Sequence, residues 1–408
     1  MNEVQRIAFV CHPYHRGGVT RWMADAAIAF AEKRMDVYFV TVEPVTEFHS
    51  AKGRETLLHL LSREPNIVRI LKAKAGHEFE FGTAEYRAYI YRKLLVQLPI
   101  GTPVILSDDA VVWAATASLY TSYPIIGVLH ADEEQYYELA EKYYKQASSL
   151  VCVSSRVNKT AHERAPQFDA GHIYTIPCGI NLPPVAENSK SNNVLQLAYV
   201  GRLSDYQKRT GDLVDICALL AKNNTPFHLR IIGDGEAKVL LENRFRAEGL
   251  DHCVTFYGWL SQDQVGIYLS ESDVLILTSD FEGMPIAMME ALATGCGVAG
   301  TRVSGIEDYE HHPLAADCLS VFTVGAIEDA VNKINMVAAV PKERRRWAAR
   351  KLAESEFSME VCLGKYLEVI EAIQVTPISA GGEIRLSPLK LLYSNLLSLV
   401  RKMKVGMK

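Results

Sequence analysis

The sequence predicts an α/β protein made of two doubly wound parallel-sheet domains. Short runs of β-branched and apolar residues alternate with stretches of helical apolar spacing, which is typical of successive β–α–β units. The alternation stops at a polar, proline-bearing segment over residues 183–193 and starts again at Leu195. Two such halves joined by a linker predict two facing domains with a cleft between them.

The composition fits a folded chain without a nucleic-acid surface. The 408 residues are 49% hydrophobic and 22% charged, and the net charge of -5 argues against a general nucleic-acid binder. Eight scattered cysteines without a Cys-x-x-Cys pair predict reduced thiols and no zinc site. The start of the chain lacks the pattern of a signal peptide, and no apolar run reaches about eighteen residues. We therefore expect a cytoplasmic protein.

The first half opens with a strand at 6–10, a loop ending in Gly17 and Gly18, a helix at 19–34 and a strand at 36–42. The backbone amides of the two glycines stand at a helix start, where they could approach a phosphate; a tight turn is the alternative. Residues 44–98 are less regular, and we expect mostly helices there.

Further strands are predicted at 103–108, 125–130, 149–154 and 173–177. The carboxyl ends of strands in such a sheet border the ligand crevice, so Asp108, Asp109 and His130 are candidate site residues. For His130 the alternative is a structural histidine.

The second half repeats the pattern, with strands at 195–200, 227–232 and 253–256. Arg202 and Lys208 follow the first of these strands, and together they could neutralise a pyrophosphate. The alternative is that both are solvated surface cations.

The strand at 273–277 is followed by a loop and a helix through Ala293. Pro285 is predicted at the first helical position, and the free amides at the helix start form an anion site. Glu282 and Glu290 frame this site and could accept hydrogen bonds from sugar hydroxyls, which favours a nucleotide-sugar ligand. Alternatively, Glu282 only caps the helix and Glu290 is solvated.

A literal G-x-G-x-x-G occurs over residues 295–300. The dinucleotide-binding fingerprint requires a strand before it and a helix after it. Here the order is reversed, so we predict a helix stop and a turn.

These residues resemble the family 4 glycosyltransferases, which have the GT-B fold of two facing Rossmann-like domains. The resemblance covers roughly residues 6–373 and rests on a set of short motifs: Gly17-Gly18, His130, Gly201-Arg202-Leu203, Lys208, Gly233-Asp234-Gly235, and Glu282 and Glu290 with Gly283 and Pro285. It implies a retaining, metal-independent hexosyltransferase that uses a UDP- or GDP-sugar, with no cofactor. The implied acceptor is a glycan or a lipid-linked acceptor in cell-envelope or exopolysaccharide synthesis.

The resemblance also implies residue roles. Arg202 and Lys208 would bind the donor diphosphate, Glu290 the ribose, and Glu282 the transferred sugar. His130 would contact the donor sugar, and Gly18 would approach the phosphate. Asp108 and Asp109 are weaker acceptor candidates. The remaining donor-binding positions act through the backbone, near the nucleobase or around the phosphate and sugar: Gly17, Gly233, Gly258, Gly283, Met284, Pro285 and Ile286.

One departure from the family pattern lies after the glycine pair. The family often has an acidic or similar residue two positions later, whereas this chain has Val19-Thr20-Arg21. Two alternatives to this function remain open, namely another GT-B activity such as an epimerase or phosphorylase, and a non-catalytic glycan-binding partner. The intact set of Arg202, Lys208, Glu282 and Glu290 argues against the non-catalytic partner.

The expected domains are 1–186 for the acceptor side and 194–356 for the donor side, with helix 358–373 packing back on the first. A tail at 376–408 combines apolar residues with a basic end. Its segment 381–408 could lie on the anionic inner face of a membrane or pack on protein, including a second subunit.

Overall fold

The computed structural model of the chain describes residues 5–11, 18–43, 61, 67–74, 79, 82–107, 109–184, 194–373, 387, 390, 393–398 and 401. The chain divides into two compact units. The first comprises Met1–Cys152, Asn158–Ile176 and Leu363–Lys408, and the second comprises Val153–Val157 and Pro177–Cys362.

The first unit alternates strands and helices. Its elements are β1 (Arg6–Val10), α1 (Gly18–Glu32), β2 (Asp36–Glu43), β3 (Val68–Lys74), α2 (Ala84–Leu95), β4 (Val104–Leu106), α3 (Ala110–Thr116), β5 (Ile125–Leu129), α4 (Glu134–Tyr143), β6 (Ser149–Cys152) and β7 (Ile173–Thr175). Helix α5 (Ser155–Arg164) begins in the second unit and ends in the first.

Among the described residues, the first sheet has seven parallel strands in the order β3-β2-β1-β4-β5-β6-β7. The order reverses between β1 and β4, so the loops after these two strands flank a topological switch point. In doubly wound sheets, ligands bind at such a point.

The expectation of mostly helices over 44–98 is wrong at β3, which pairs with β2 from Val37 to Glu43. The reason is that β3 is an edge strand carrying Arg69, Lys72 and Lys74. Charged side chains protect a sheet edge from further pairing, and they also remove the apolar pattern by which a strand is predicted.

The second unit repeats the alternation with its own sheet. Its elements are β8 (Leu195–Val200), α6 (Asp205–Lys208), α7 (Asp212–Lys222), β9 (Phe227–Ile232), α8 (Lys238–Ala247), β10 (Val254–Gly258), α9 (Gln262–Ser270), β11 (Val274–Leu277), α10 (Ile286–Thr294), β12 (Gly297–Thr301), α11 (Ala315–Cys318), β13 (Leu319–Phe322), α12 (Ile327–Ala339) and α13 (Lys342–Leu352).

The described strands of this unit form a six-stranded parallel sheet in the order β10-β9-β8-β11-β12-β13. The order reverses between β8 and β11, so the loops after Val200 and after Leu277 emerge side by side at the carboxyl edge. This topology brings together two segments that are distant in the sequence.

Apolar residues on both helices and strands close the core of the second unit. Leu213 and Leu220 of α7 and Ile334 of α12 are fully buried against Leu229 and Ile276 of the sheet. Each such side chain stabilises the fold by roughly 1.5–3 kcal/mol relative to an exposed position. The strand ends that carry polar residues therefore extend from a well-packed apolar core.

The literal G-x-G-x-x-G is a helix stop, as predicted. Gly295 ends α10 with φ 84, in the left-handed region that glycine tolerates, and the chain then enters β12.

The boundaries of the two units agree only approximately with the domain boundaries expected from the sequence. The predicted first domain ends at 186, whereas residues from Pro177 onward belong to the second unit. The cause is local, because the amide of Ile180 donates to the carbonyl of Phe357 and Met359 donates back to Ile180. The linker residues 185–193 lie outside the described residues.

The last long helix, α14 (Met359–Ala372), begins in the second unit, and its residues from Leu363 belong to the first. In the first unit the ring of Tyr366 packs on Trp22 of α1, with 5.8 Å between ring centroids.

Most of the predicted tail at 376–408 lies outside the described residues, but 393–398 are helical. Ser394 and Ser398 are buried, and the hydroxyl of Ser394 accepts a hydrogen bond from the amide of Thr83 at 3.1 Å. Within the described ranges, no helix combines the length and the apolar character that a membrane crossing needs.

Candidate functional site

Polar residues converge where β8 and β11 end, at the switch point of the second sheet. The loop after β8 carries Arg202 and the short helix α6, which ends at Lys208. The loop after β11 carries Glu282 and leads into α10. Both loops belong to one unit, so their mutual geometry is defined within that unit.

Hydrogen bonds clamp α6 onto the loop after β11. The amide of Asp280 donates to the carbonyl of Gln207 at 2.8 Å, and the Gln207 side chain donates to the carbonyl of Phe281 at 3.2 Å. The hydroxyl of Thr278 donates to the carbonyl of Lys208 at 2.7 Å. One backbone–backbone bond and two side-chain-to-backbone bonds therefore hold the two loops together.

Lys208 and Glu282 form an ion pair inside this clamp. The Lys208 ammonium donates to the Glu282 carboxylate, whose side chain is only 7% exposed against 20% for Lys208. The hydroxyl of Ser279 donates to the same carboxylate oxygen at 2.6 Å. Lys208 is therefore not the solvated surface cation of the alternative interpretation.

The helix that follows begins one residue later than predicted. Pro285 is the N-cap with φ -71 and ψ 113, and its carbonyl accepts the amide of Met288 at 3.0 Å. The proline remains outside the helix because its backbone is extended. Its side chain makes no capping bond, and the bonds described for Glu282 run to Lys208 and Ser279, so capping does not explain Glu282. The amides at the start of any helix lack intrahelical partners, so the anion site stays a prediction, with Ile286 and Ala287 at the observed helix start.

Gly305 holds the loop before α10 in place. Its φ is 79, and a Cβ at this position would lie 2.2 Å from the carbonyl oxygen of Gly283. The hydroxyl of Ser304 also donates to this carbonyl at 3.4 Å. Only glycine permits both the backbone conformation and this close approach.

Glu290 lies half-buried in α10, about one turn beyond the helix start at Ile286. The side-chain amide of Gln262, at the beginning of α9, donates to its carboxylate at 3.2 Å. The contact orients the carboxylate and gives Glu290 a structural neighbour that the sequence pattern did not reveal.

The ends of β8, β9 and β10 interlock through their backbones. Gly233 has φ 141, and its amide donates to the carbonyl of Gly258 at 2.8 Å. A Cβ at Gly233 would lie 1.8 Å from the carbonyl oxygen of Gly201. The predicted backbone positions Gly233 and Gly258 thus meet at one point of the sheet edge, next to the loop of Arg202.

Arg202 is exposed, and its carbonyl accepts a hydrogen bond from the hydroxyl of Tyr199 at 2.8 Å. Nearby, Glu236 has a lowered pKa, chiefly because its own backbone amide bonds the carboxylate, with Ser204 and the charge of Arg202 contributing. Arg202 thus lies close enough to Glu236 for their charges to interact.

The first unit has its own convergence at the ends of β1, β4 and β5. His130 follows β5, is 8% exposed, and packs edge-on against Trp22 with 5.2 Å between ring centroids. Gly18 is exposed at the start of α1. Asp109 caps α3, because its carboxylate accepts the amides of Val111 at 2.6 Å and Val112 at 3.2 Å. Asp109 therefore has a structural role at the start of α3, and its role toward an acceptor stays a prediction. Gly17 and Asp108 lie outside the described residues.

Sequence reasoning missed Ser279, Gln262, Ser304 and Gly305. Ser279 could have been found, because it lies three residues before Glu282 in the loop after β11. The others come from separate segments, and no local pattern links them to the site.

The chain is similar to known transferases. The sequence model of the family described as glycosyl transferases group 1 matches residues 185–352. The amylovoran biosynthesis glycosyltransferase AmsK of Erwinia amylovora is 26% identical over 193 residues, which is 44% of this chain and 45% of that protein. The lipopolysaccharide 1,6-galactosyltransferase of Salmonella typhimurium is 35% identical over 143 residues, 34% of this chain and 38% of that protein. The matched region thus spans less than half the length of either relative.

Solved structures extend the likeness to nearly the whole chain. The structure of Anabaena HepE in complex with UDP and glucose superposes with a TM-score of 0.68 at 16% identity, covering 90% of this chain and all (100%) of that one. At this identity the likeness shows the fold, which is the GT-B type with two Rossmann-like units.

Proposed function

This chain belongs, through residues 185–352, to the glycosyl transferases group 1 family, and we propose that it transfers a hexose from a UDP- or GDP-sugar. The observation that carries the proposal is the switch-point edge of the second sheet, where Lys208, Glu282 and the start of α10 adjoin. A diphosphate needs positive charge and amide donors, and a sugar needs hydrogen-bond acceptors. This edge supplies both.

Different groups at this edge are proposed to bind the diphosphate, the transferred sugar and the ribose. Since Lys208 and Glu282 neutralise each other in the pair, the attraction for a diphosphate comes mainly from Arg202 and from the free amides of Ile286 and Ala287. Glu282 accepts from Lys208 and Ser279 at the same oxygen, Oε1, which leaves Oε2 for a sugar hydroxyl. Glu290, oriented by Gln262, is the proposed partner of the ribose.

The proposed reaction retains the anomeric configuration. The bond between the anomeric carbon and the diphosphate oxygen breaks, and the acceptor oxygen bonds to the same face of that carbon. The acceptor proton passes to the departing diphosphate, so charge and atoms balance without a base from the protein. The guanidinium of Arg202 and the amides of Ile286 and Ala287 stabilise the charge that develops on the diphosphate, and on this basis we propose that no metal is required.

The proposed acceptor is a glycan or lipid-linked glycan of envelope polysaccharide synthesis. The relatives named above support this choice, since one is named for amylovoran biosynthesis and the other for galactosyl transfer to lipopolysaccharide. His130, Gly18 and Asp109 keep the roles implied by the family resemblance as predictions, and His130→Ala with donor hydrolysis as readout tests the first of them.

We also propose that the protein is cytoplasmic and contacts an anionic membrane through its tail. The described tail helix buries Ser394 and Ser398 and exposes Tyr393 by 61% and Leu396 by 54%. Exposed apolar side chains next to Lys390 and Arg401 suit a surface of anionic lipid.

A thermal-shift screen against UDP, GDP, ADP and their hexose conjugates, with magnesium or with EDTA, tests the donor site. Binding to the folded state raises the Tm by mass action. We expect one nucleotide to raise the Tm equally in both conditions. No shift with any nucleotide would favour a non-catalytic partner, and a shift only with magnesium would contradict metal independence.

A further inference from the structure

Two aromatic rings lie beside the Lys208–Glu282 pair without a role in the core. Tyr206 of α6 is 84% exposed, and Phe281 directly precedes Glu282. Their ring centroids are 5.7 Å apart at an interplanar angle of 75°, an edge-to-face contact. Isolated exposed apolar residues are common, but a pair on the two loops of a candidate site is not accounted for by packing.

The clamp keeps this aromatic pair in place. The backbone of Gln207, next to Tyr206, accepts the amide of Asp280, and its side chain donates to the carbonyl of Phe281. Arg209 closes α6 in the left-handed region at φ 45 and lies 3.5 Å from the carboxylate of Asp280. A ring on an ordered backbone loses little conformational entropy when a ligand covers it.

The charges around the rings favour a neutral ligand with hydroxyls. Lys208 is paired with Glu282, and Arg209 with Asp212 and Asp280. Asp280 has a side chain that is 38% exposed, so its carboxylate can accept further hydrogen bonds. Because Lys208 and Arg209 are already paired, an anionic phosphate or lipid headgroup gains little attraction from them beside the rings, whereas a sugar offers donors to Asp280 and apolar C–H groups to the rings.

We propose that Tyr206 and Phe281 form a platform on which a neutral pyranose ring of the acceptor glycan stacks, with Asp280 accepting one of its hydroxyls. This inference rests on the proposed function and makes Tyr206 a specificity-determining residue of the transfer. It assigns no role to Tyr206 in donor binding.

The test uses the full chain saturated with the nucleotide that raises its Tm. Saturation-transfer NMR measures binding of three probes, the methyl glycosides of glucose, galactose and N-acetylglucosamine. We expect Tyr206→Ala to weaken binding of at least one glycoside by about tenfold, the loss equivalent to one stacking contact. Tyr206→Phe retains the ring and should bind within about twofold of wild type, as should the control Tyr120→Ala, which removes an exposed tyrosine of the first unit.

Donor readouts separate this inference from the proposed function. Tyr206→Ala should keep both the nucleotide-induced rise in Tm and the slow hydrolysis of the donor sugar. Unchanged glycoside binding in Tyr206→Ala, or no binding of any probe to wild type, would overturn the platform alone. A loss of the nucleotide shift in Tyr206→Ala would instead assign the ring to the donor and also overturn the inference. Absence of any nucleotide shift in wild type would overturn the proposed function itself.

Discussion

The ammonium of Lys208 and the carboxylate of Glu282 are paired although the two residues are 74 positions apart in the chain. The pair is mostly buried, and the hydroxyl of Ser279 also donates to Glu282. The backbone carbonyl of Ser279 in turn accepts a hydrogen bond from the hydroxyl of Thr301 at 2.7 Å. The ends of β8, β11 and β12 are thereby joined in one polar network. Residues proposed to bind donor therefore also stabilise the second unit.

Replacing Lys208 by Ala should lower the free energy of unfolding by about 3 kcal/mol, because a buried carboxylate loses its countercharge. Urea denaturation measures the loss. Arg344→Ala, which removes an exposed partner of Asp317, is the matched control and should cost less than about 1 kcal/mol. In the double variant Lys208→Met/Glu282→Gln, stability should partly return while donor binding does not. Equal costs for Lys208→Ala and Arg344→Ala would show that the pair is solvated.

Replacing Glu290 by Ala should weaken nucleotide binding by about 10- to 100-fold, the loss of one charge-assisted hydrogen bond. Titration calorimetry with the nucleotide selected by the thermal screen measures the change. Glu290→Gln keeps an acceptor oxygen and should fall between wild type and Ala. Glu343→Ala, an exposed acid of α13, controls for net charge. An unchanged Kd in Glu290→Ala would reject the ribose assignment.

Replacing Gly305 by Ala should cost about 2 kcal/mol or more, since the new Cβ meets the carbonyl of Gly283 and the backbone is left-handed. The loop before α10 must shift, so nucleotide binding should weaken as well. The control is Gly266→Ala in α9, where a Cβ meets nothing within 4 Å and helix propensity rises. That variant should gain about 0.5–1 kcal/mol. Similar Tm values for both alanine variants would contradict the close approach.

The tail proposal predicts binding to vesicles that contain phosphatidylglycerol and not to neutral phosphatidylcholine vesicles. Co-sedimentation measures the bound fraction, which should fall as salt rises because the attraction is electrostatic. Tyr393→Asp/Leu396→Asp should reduce binding, while Met336→Asp, at another exposed apolar position, should not. Salt-independent binding, or equal binding by both variants, would contradict the membrane proposal and favour a tail that only packs on the first unit.

Several elements were predictable because their signals are local. The buried strands β8 and β11 are short apolar runs, and the order of helix and strand around Gly295 was enough to dismiss the false dinucleotide motif. By contrast, β3 escaped prediction because an edge strand carries charges where a central strand carries apolar residues.

Local sequence patterns were enough to predict the two α/β units and the charged residues at the strand ends, because apolar periodicity and short motifs act over a few residues. Which of these residues contact one another depends on the tertiary fold. Strands β8 and β11 are neighbours in the sheet, and the loops that follow them place Lys208 next to Glu282. Gln262 at the start of α9 contacts Glu290, and Gly305 after β12 lies against Gly283. Such contacts depend on strand order and on packing between distant segments, which no local pattern encodes.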